Sequence, residues 1–272
     1  MSGDDTDLVN AARAGDRRAL ETLLERYQSR IYRFGMKMCH DPEAAKDVLQ
    51  ETLLAVARSI RQFRGASSFS TWLYSIARSF CIKSHRQSRF AVEEQSIQTG
   101  LAPNEAPAAN PSERPDNVFG AREIEAYFNR AIQSLEPSYK EVFVLRDIEG
   151  LTGSEVAEVL GISLEAVKSR LHRARADVRE QMAAIIGVSS HALPPASSKT
   201  CEHIVTIFSQ NLEGEITPEL CHETERHIES CVRCRSVCES LKKVLALCHS
   251  SPEQEVPDHI QQLIREAVSG RR

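Results

Sequence analysis

The chain has 272 residues, 41% of them hydrophobic and 26% charged, which is enough for two or three small domains with packed cores. Aromatic residues make up only 6%, so these cores are expected to be aliphatic and helical. The net charge of −4 is unevenly distributed: residues 1–90 hold fifteen Lys and Arg against ten Asp and Glu, whereas residues 199–272 hold nine against twelve. The basic front predicts binding to a polyanion, and the acidic tail (residues 199–272) is expected to oppose it.

Leader, membrane and disulfide signals are all weak in this sequence. The N-terminus is acidic and polar, unlike a secretory leader, and no apolar run approaches the ~20 residues that cross a bilayer. We therefore expect a cytoplasmic protein with no membrane partner. Cys39 and Cys81 lie in apolar settings and are expected to be buried thiols, while the other six cysteines follow residue 200. In a reducing compartment this clustering indicates metal or redox chemistry rather than disulfides.

Two amphipathic helices are predicted at the start of the chain, over residues 19–38 and 43–60. The second helix opens with Asp41 and Pro42, with proline at its first position. Its apolar residues recur at helical spacing and leave one acidic and polar face exposed. That face consists of Asp47, Gln50 and Glu51.

A basic and aromatic stretch, residues 63–89, lies inside an acid-free window that runs from Thr52 to Val92. A Gly-Ala-Ser-Ser loop at 65–68 precedes a predicted helix whose apolar residues form a core face. Positive charge attracts phosphates and aromatic faces stack on unpaired bases, so single-stranded DNA is the favoured ligand. The alternative is an ordinary amphipathic helix with a solvated basic face, in which Trp72 belongs to the core. The candidate DNA contacts are Arg64, Gly65, Ser67, Ser68, Trp72, Tyr74 and Arg78.

Residues 41–78 together resemble domain 2 of the extracytoplasmic-function (group 4) bacterial sigma factors. The resemblance implies that the acidic face binds the β′ clamp helices of core RNA polymerase. It also implies that the loop and the following helix read and melt the −10 promoter element, holding an unstacked base near residues 65–68. Ser79 departs from the family, which usually has Asn there. The matching residues are Asp47, Gln50, Glu51, Thr52, Phe63, Gly65, Phe69, Thr71, Trp72, Leu73, Ile76, Ala77 and Arg78.

Residues 93–121 contain four prolines and few apolar residues, so an extended, mobile linker is expected there. Helices are predicted next at 122–135, 139–147 and 154–160, and a last basic helix follows a turn at Gly161 with Ser163 as its N-cap. Helix, glycine turn and basic helix are typical of a helix-turn-helix that enters the major groove, with a plain four-helix bundle as the alternative. The early residues Glu165, Lys168, Ser169 and Arg170 are expected at base edges, and Arg173, Arg175 and Arg179 at the DNA backbone.

This second helical segment resembles sigma domain 4, the −35 reader, over its full length. Two sigma-like segments in the family's order reinforce each other. The resemblance implies that residues 93–121 join domains 2 and 4, and that the partners are promoter DNA and core RNA polymerase, which domain 4 meets at the β flap.

The acidic tail follows a second expected linker at 186–199 and contains the spacing His227-x3-Cys231-x2-Cys234. These residues present three ligands at a helix end to one tetrahedral zinc ion, and Cys201 can complete a Cys3His site. Other candidates for the fourth ligand are His203, Cys221, His222 and Cys238, and buried thiols without metal are the alternative. The pattern resembles the zinc anti-sigma domain, and that resemblance favours Cys201.

The sequence therefore predicts an all-α protein with two helical sigma domains and a small helical zinc-binding domain. The expected boundaries are 1–92, linker 93–121, 122–185, linker 186–199 and 200–272. The expected function is that of a sigma factor, not an enzyme, which its zinc domain controls in cis through an intramolecular contact. Rival interpretations are a helix-turn-helix regulator acting without polymerase, and a thiol oxidoreductase using Cys231 and Cys234. A last amphipathic helix at 258–269 is expected to pack on a partner surface.

Overall fold

The computed structural model describes residues 3–39, 41–99, 120–186, 193–196, 199–249 and 256–269. Every regular element within those ranges is helical, which confirms the expected all-α class. The chain forms two compact units. The first contains residues 1–108, 154–161 and 252–272, and the second contains residues 109–153 and 162–251.

Thirteen α-helices are found in the described ranges, together with a 3₁₀ turn at Ile60–Gln62 and a π-helical turn at Val144–Ile148. The helices are α1 Gly3–Ala14, α2 Arg17–Met38, α3 Pro42–Ser59, α4 Phe69–Thr99, α5 Ala121–Gln133, α6 Pro137–Phe143, α7 Gly153–Leu160, α8 Leu164–Gln181, α9 Ala183–Ile186, α10 Lys199–Leu212, α11 Pro218–Ser230, α12 Val232–His249 and α13 Asp258–Ser269.

The first unit is built on α2, α3 and α4, which pack against one another. Aspartates start the first two of these helices: Asp16 accepts from the backbone N–H groups of Arg18 and Ala19, and Asp41 caps α3 with Pro42 at its first position. Such a cap stabilises a helix by about 1 kcal/mol. The apolar faces meet in a core of fully buried side chains, which include Leu23, Ile31, Leu49, Leu53 and Leu73.

The last helix, α13, belongs to the first unit and packs against α2 and α3. Val256, just before the helix, and Ile260 within it are 6% and 1% exposed. Arg265 lies 3.9 Å from Glu25 of α2. This amphipathic helix thus packs inside the same chain, on α2 and α3, rather than on the partner surface that the sequence predicted.

In the second unit α5, α6 and α8 pack together around Phe143, Leu145, Leu171 and Val178. The helix predicted at 139–147 starts earlier, because Pro137 occupies the first helical position, and it ends as the π-helical turn. Gly161, the last residue of the first unit's segment 154–161, has a φ of +66°, a left-handed conformation that favours glycine. The predicted N-cap at Ser163 is confirmed, since its Oγ accepts from the N–H of Ala166 at 3.2 Å.

Helices α10, α11 and α12 form a small bundle at the end of the second unit, here called the zinc module (residues 199–249). Thr217 caps α11 by accepting from the N–H of Leu220 at 3.3 Å, and Pro218 follows at the first helical position, as predicted. The module's own core is small and sulfur-rich. Its buried members are Cys201, Ile204, Phe208, Cys234, Val237, Cys238 and Leu241.

The expected linkers differ in part from the structure. Helix α4 extends through Thr99, so residues 93–99 of the first expected linker are helical, and α5 begins at Ala121. Residues 101–119 lie outside the described ranges, as does 187–192 of the second expected linker. Within the described part of the chain, no helix combines the length and the apolar character needed to span a bilayer.

Candidate functional site

The 64–68 loop connects the 3₁₀ turn to α4 in the first unit. Phe63 closes the turn by donating its N–H to the Ile60 carbonyl at 3.1 Å, and Gly65 then adopts a φ of +72°. Ser68 caps α4, since its Oγ accepts from the N–H of Thr71 at 3.1 Å, and it also donates to Glu155 at 2.7 Å. Arg64 and Gly65 are exposed, and Ser67 and Ser68 are half-buried, so the loop presents polar groups and open backbone at the surface.

Three aromatic rings meet beside this loop, here called the aromatic cluster: Phe63, Phe69 and Trp72. The rings of Phe63 and Trp72 lie 4.9 Å apart at 33°, and those of Phe69 and Trp72 lie 5.9 Å apart at 56°. Phe63 and Phe69 are buried, whereas Trp72 is half-buried. Part of the Trp72 ring therefore packs on the core and part reaches the surface, so its DNA contact stays a prediction.

Tyr74 was expected among the DNA contacts, and the structure corrects this. Its side chain is fully buried, and its ring packs edge-on against Phe34 at 5.4 Å. Tyr74 directly follows the core residue Leu73 and lies one turn before Ala77, so it faces inward and supports the fold. Arg78, one turn further along α4, is half-buried.

The acidic face of α3 has the exposure that the sequence predicted. Asp47 and Glu51 are exposed and Gln50 is half-buried. Together with Lys83 and Phe80 of α4, they line an open depression of about 280 Å³. A depression with acidic, basic and aromatic groups on its walls suits a protein surface that offers complementary charges.

Helix α8 divides its polar residues between two faces. Glu165, Ser169 and Arg173 are exposed, and Lys168 and Arg170 are half-buried. Glu165 lies in the first turn of the helix, where a recognition helix approaches base edges. Arg173 donates to the Tyr139 hydroxyl at 3.0 Å.

Arg175 was expected at the DNA backbone, but its side chain is only 3% exposed in this structure. Its guanidinium donates to both carboxylate oxygens of Asp147, at 2.8 and 2.6 Å, and to Glu213 at 2.7 Å. Burial opposes the charge of Arg175, but the two carboxylates outweigh burial, so the pKa of Arg175 is raised. A buried charge needs such partners, because losing one costs about 3–5 kcal/mol.

Glu213 of the zinc module joins this ion pair to a second arginine. Arg146 of the π-helical turn donates to Glu213 Oε2 from Nε at 2.9 Å and from Nη2 at 2.7 Å. Burial alone would raise the pKa of Glu213, but the hydrogen bonds from Arg175 and Arg146 hold it below its ordinary value. Glu213 therefore stays charged and links the π-helical turn and α8 to the end of α10.

Two further contacts extend the same face of α8. Lys168 Nζ lies 3.2 Å from Glu215, and His172 Nδ1 lies 2.7 Å from Ser209 Oγ. Burial lowers the pKa of His172, so the neutral ring is favoured. Residues 168, 172 and 175 are spaced one helical turn apart, so they form one stripe along α8. The zinc module covers this stripe, here called the covered stripe, with Ser209, Glu213 and Glu215.

The sequence interpretation missed the residues that cover the stripe. Its only signal was the general acidity of the tail. Asp147 was likewise treated as an ordinary helix residue, although it is 6% exposed beside Arg175.

The predicted metal ligands come together at one point of the zinc module. The ligand atoms of Cys201, His227, Cys231 and Cys234 all lie within 4.8 Å of one another. Cys201 Sγ is 3.8 Å from Cys231 Sγ and 3.3 Å from His227 Nε2, and His227 Nε2 is 3.2 Å from Cys234 Sγ. Tetrahedral zinc holds two sulfurs about 3.8 Å apart and a sulfur and a nitrogen about 3.5 Å apart. The residues therefore fit a Cys3His zinc site, with Cys201 rather than the other candidates beside the motif.

The remaining cysteines lie apart from this group. Burial raises the pKa of Cys238 to about 12, which makes it an inert packing thiol. Cys248 is 2% exposed, and Cys221 is half-buried beside Asn211 at 3.7 Å. The expectation that Cys39 and Cys81 are buried thiols is confirmed, since they are 3% and 1% exposed.

Comparison with known proteins gives three family matches, in the same order along the chain as the three segments that the sequence predicted. Sigma-70 region 2 matches residues 23–90, Sigma-70 region 4 matches residues 126–178, and a zinc-finger family model matches residues 201–235. The last match includes all four residues of the Cys3His group.

Individual relatives extend these matches over most of their own length. The RNA polymerase sigma-H factor of Pseudomonas aeruginosa is 32% identical over 177 residues, covering 63% of this chain and 90% of the relative. The RNA polymerase sigma factor YlaC of Bacillus subtilis is 30% identical over 166 residues, covering 61% of this chain and 93% of the relative. Among solved structures, the sigma factor RpoE in complex with the anti-sigma factor NepR from Bartonella quintana has a TM-score of 0.46 and 22% identity, covering 58% of this chain and 93% of that chain.

Proposed function

This chain belongs to the extracytoplasmic-function RNA polymerase sigma factors and carries an anti-sigma-like zinc-finger domain near its C-terminus. From that premise we propose how the protein recognises a promoter and how its zinc-finger domain inhibits it. As a sigma factor it is a transcription initiation factor rather than an enzyme, and its partners are core RNA polymerase and promoter DNA. Because its partner transcribes in the cytoplasm, we place the protein there.

The −10 element is opened by the 64–68 loop and the aromatic cluster. A base leaving the duplex costs a few kcal/mol, and stacking on an aromatic face returns about 1–3 kcal/mol. The half-buried ring of Trp72 is available for such stacking, and Ser67 can hydrogen-bond the base edge, whereas the Ser68 hydroxyl already bonds Thr71 and Glu155. Arg64 and Arg78 bind phosphates beside it. Gly65 has open space where a Cβ would lie, which leaves room for a base.

The −35 element is read by the exposed part of α8. Glu165, Ser169 and Arg170 lie on the early turns that reach base edges, and Arg173 binds the DNA backbone. Lys168 belongs to the same surface once Glu215 releases it. Arg175 keeps its bond to Asp147, so we assign it to supporting α8 rather than to DNA.

Core polymerase binds at the depression beside α3. Asp47 and Glu51 offer carboxylates, and Gln50 an amide, to basic and polar groups of the β′ clamp helices. The residues that match region 4, 126–178, meet the β flap, as the family resemblance implies. Promoter recognition and the chemistry of RNA synthesis are thus divided between this chain and polymerase.

The zinc module holds one zinc ion with Cys201, His227, Cys231 and Cys234. When bound, zinc stabilises the thiolates and cross-links α10, α11 and the start of α12. Burial and the neighbouring sulfurs raise the pKa of Cys234, so without a cation the Cys234 thiol would stay protonated. Since α10 carries Ser209 and leads into Glu213, the same cross-link fixes the groups that cover α8.

The zinc module controls the protein in cis by occupying the covered stripe of α8. The single observation that carries this proposal is Glu213, whose carboxylate binds Arg146 and Arg175 where the recognition helix should be free. Glu215 on Lys168 adds a second acidic contact. Glu215 occupies a position on Lys168 that a DNA phosphate would otherwise approach, and Glu213 anchors the zinc module beside it. Helix α13 adds a contact on α2 and α3 of the first unit while leaving Asp47 and Glu51 exposed.

The polymerase part of the proposal is tested by mapping transcript starts made by core polymerase with the full chain on genomic DNA. The expected result is initiation at defined positions, reduced about tenfold or more by Asp47→Asn with Glu51→Gln. The matched control is Asp7→Asn with Glu21→Gln, which removes the same charge elsewhere on the first unit. If the full chain purifies without bound polymerase and directs no defined transcript starts, a regulator acting without polymerase is favoured.

The cis-control part is tested with a chain that ends at residue 198. Removing the tail is expected to raise the transcript yield at the same start sites. Equal yield from the full and the shortened chain, across the conditions that induce the full chain, would refute control by the tail.

A further inference from the structure

A buried carboxylate on α1 lies outside the residues that match sigma-70 region 2. Asp5 is only 8% exposed, and it accepts a hydrogen bond from Arg26 Nη1 and another, at 3.0 Å, from the hydroxyl of Tyr27. Burial and the Asp5 charge raise the pKa of Tyr27 to about 12. A buried carboxylate is tolerated only with such partners, so Asp5 fixes the position of the Tyr27 ring.

Tyr27 is the inner end of a continuous set of aromatic contacts that leads to the surface. Its ring packs edge-on against Phe69 at 5.3 Å and 70°, and Phe69 contacts Phe63 at 6.1 Å and Trp72 at 5.9 Å. Tyr27 is 5% exposed and Phe69 is 2% exposed. Because close-packed interiors transmit small displacements, a shift of Tyr27 changes the position of the ring that faces the promoter.

The turn between α1 and α2 makes a second contact next to the loop. At Gly15 a Cβ would lie 3.2 Å from the guanidinium of Arg61, in the 3₁₀ turn that leads into the 64–68 loop. Helix α1 also packs along this 3₁₀ turn. The N-terminal helix therefore supports the loop from both sides: at Arg61 before it and, through Tyr27, at Phe69 after it.

We propose that Asp5 is a positioning residue for promoter opening: through Tyr27 it holds the aromatic cluster in the orientation that receives the unstacked −10 base. This role rests on the proposed function. Asp5 itself touches no DNA. Loss of its carboxylate leaves −35 recognition and polymerase binding intact, and it slows only the step in which a base must leave the duplex.

The test compares holoenzymes made with the full-length chain on two templates, a duplex promoter and the same promoter with a premelted −10 segment. The measured quantity is the ratio of initiation on the duplex to initiation on the premelted template. The tail holds the same fraction of molecules inactive on both templates, so the ratio does not depend on that fraction. The variants are Asp5→Asn and Tyr27→Phe, the second of which removes the hydroxyl while keeping the ring. Asp7→Asn is the matched control, since it is exposed on the same helix.

We expect the ratio to fall about tenfold in Asp5→Asn and Tyr27→Phe, the size of one lost charge-assisted hydrogen bond, and to stay within twofold in Asp7→Asn. The premelted template should restore initiation to within twofold of the parent. An unchanged ratio in Tyr27→Phe overturns the proposal, even if Asp5→Asn fails to fold. Equal loss on both templates also overturns it, since that indicates general damage to the first unit. If the parent initiates on neither template, the proposed function fails and this inference falls with it.

Discussion

Replacing Glu213 by Gln isolates the contribution of one carboxylate to the covered stripe. The substitution keeps the shape of the side chain and removes the charge that binds Arg146 and Arg175. A hydrogen bond to a charged group contributes about 1.5–3 kcal/mol and a neutral one about 0.5–1.5 kcal/mol, so each arginine loses about 1 kcal/mol. Arg175 retains Asp147, and the Arg146 side chain is 26% exposed to water, so neither is left as a buried, unpaired charge.

In the closed form the zinc module lies on the covered stripe, and in the open form it has left the stripe. The total loss of about 2 kcal/mol corresponds to a roughly 30-fold shift of the equilibrium toward the open form, since 1.4 kcal/mol is a factor of ten. The assay is binding of the full-length chain to a −35 duplex taken from a mapped promoter, followed by fluorescence anisotropy. Because only the open form binds, apparent affinity should rise by up to about 30-fold. Glu202→Gln, an exposed change of the same charge on α10, is the control. Affinity of Glu213→Gln within twofold of the parent would show that this carboxylate does not hold α8 closed.

Three further predictions concern the metal, the pH response and the promoter-facing ring. Cys234→Ser should reduce bound zinc, measured as metal content, and should raise −35 affinity by loosening the zinc module, whereas Cys248→Ser should do neither. Burial lowers the pKa of His172 in the closed form, so that form binds fewer protons and should weaken as the pH falls through about 6.5, the ordinary value for histidine. The affinity for the −35 duplex should therefore rise between about pH 7 and pH 5.5, and this rise should be absent in His172→Gln. An equal rise in His172→Gln would contradict the role of His172. The charged and polar groups that face the His172 ring are Lys168, Arg175, Ser209, Glu213 and Glu215. Trp72→Ala should lose about tenfold or more of initiation on a duplex promoter and little on a premelted one, and an equal loss on both would assign Trp72 to the core alone.

Local sequence rules located most helix starts and the metal group. A helix cap or a first-turn proline acts on residues within three positions of itself, so a short sequence window is enough to predict the helix start. The starts of α3, α8 and α11 were predicted in this way from Pro42, Ser163 and Pro218. The zinc ligands His227, Cys231 and Cys234 share one short stretch of sequence, which fixes their proximity once α11 ends. Cys201 required the family resemblance, because nothing local brings a residue 26 positions away to that point.

Three candidate DNA contacts, Tyr74, Arg175 and Arg179, were wrong because residue type outweighed helical position, and Arg179 too is only 6% exposed. Arg175 is four residues after the core residue Leu171 and three before Val178, so its direction along α8 already indicated burial. Tyr74 is likewise three residues before Ala77 on the inner face of α4. Checking each basic or aromatic residue against the apolar stripe would have removed Tyr74 and Arg175.

The contacts that hold the protein closed could not be read from the sequence. Glu215 meets Lys168, and Glu213 meets Arg146, across separations of 47 and 67 residues with a linker between. Short-range periodicity shows that a helix has a charged face but not which surface covers it. The net charge of the tail indicated the sign of the contact and nothing about its partners.

A promoter-reading helix and its acidic cover belong to one polypeptide, and the sharpest test is transcription from a mapped promoter with core polymerase and the full-length chain. One double variant carries Glu213→Gln and Glu215→Gln. The control double variant carries Glu202→Gln and Glu223→Gln, which make an equal charge change at exposed positions of the zinc module. We expect more transcript from the same start site with the first pair, and parental yield with the second. Parental yield from both pairs, or loss of the defined start site, would mean that the acidic turn does not restrain promoter reading.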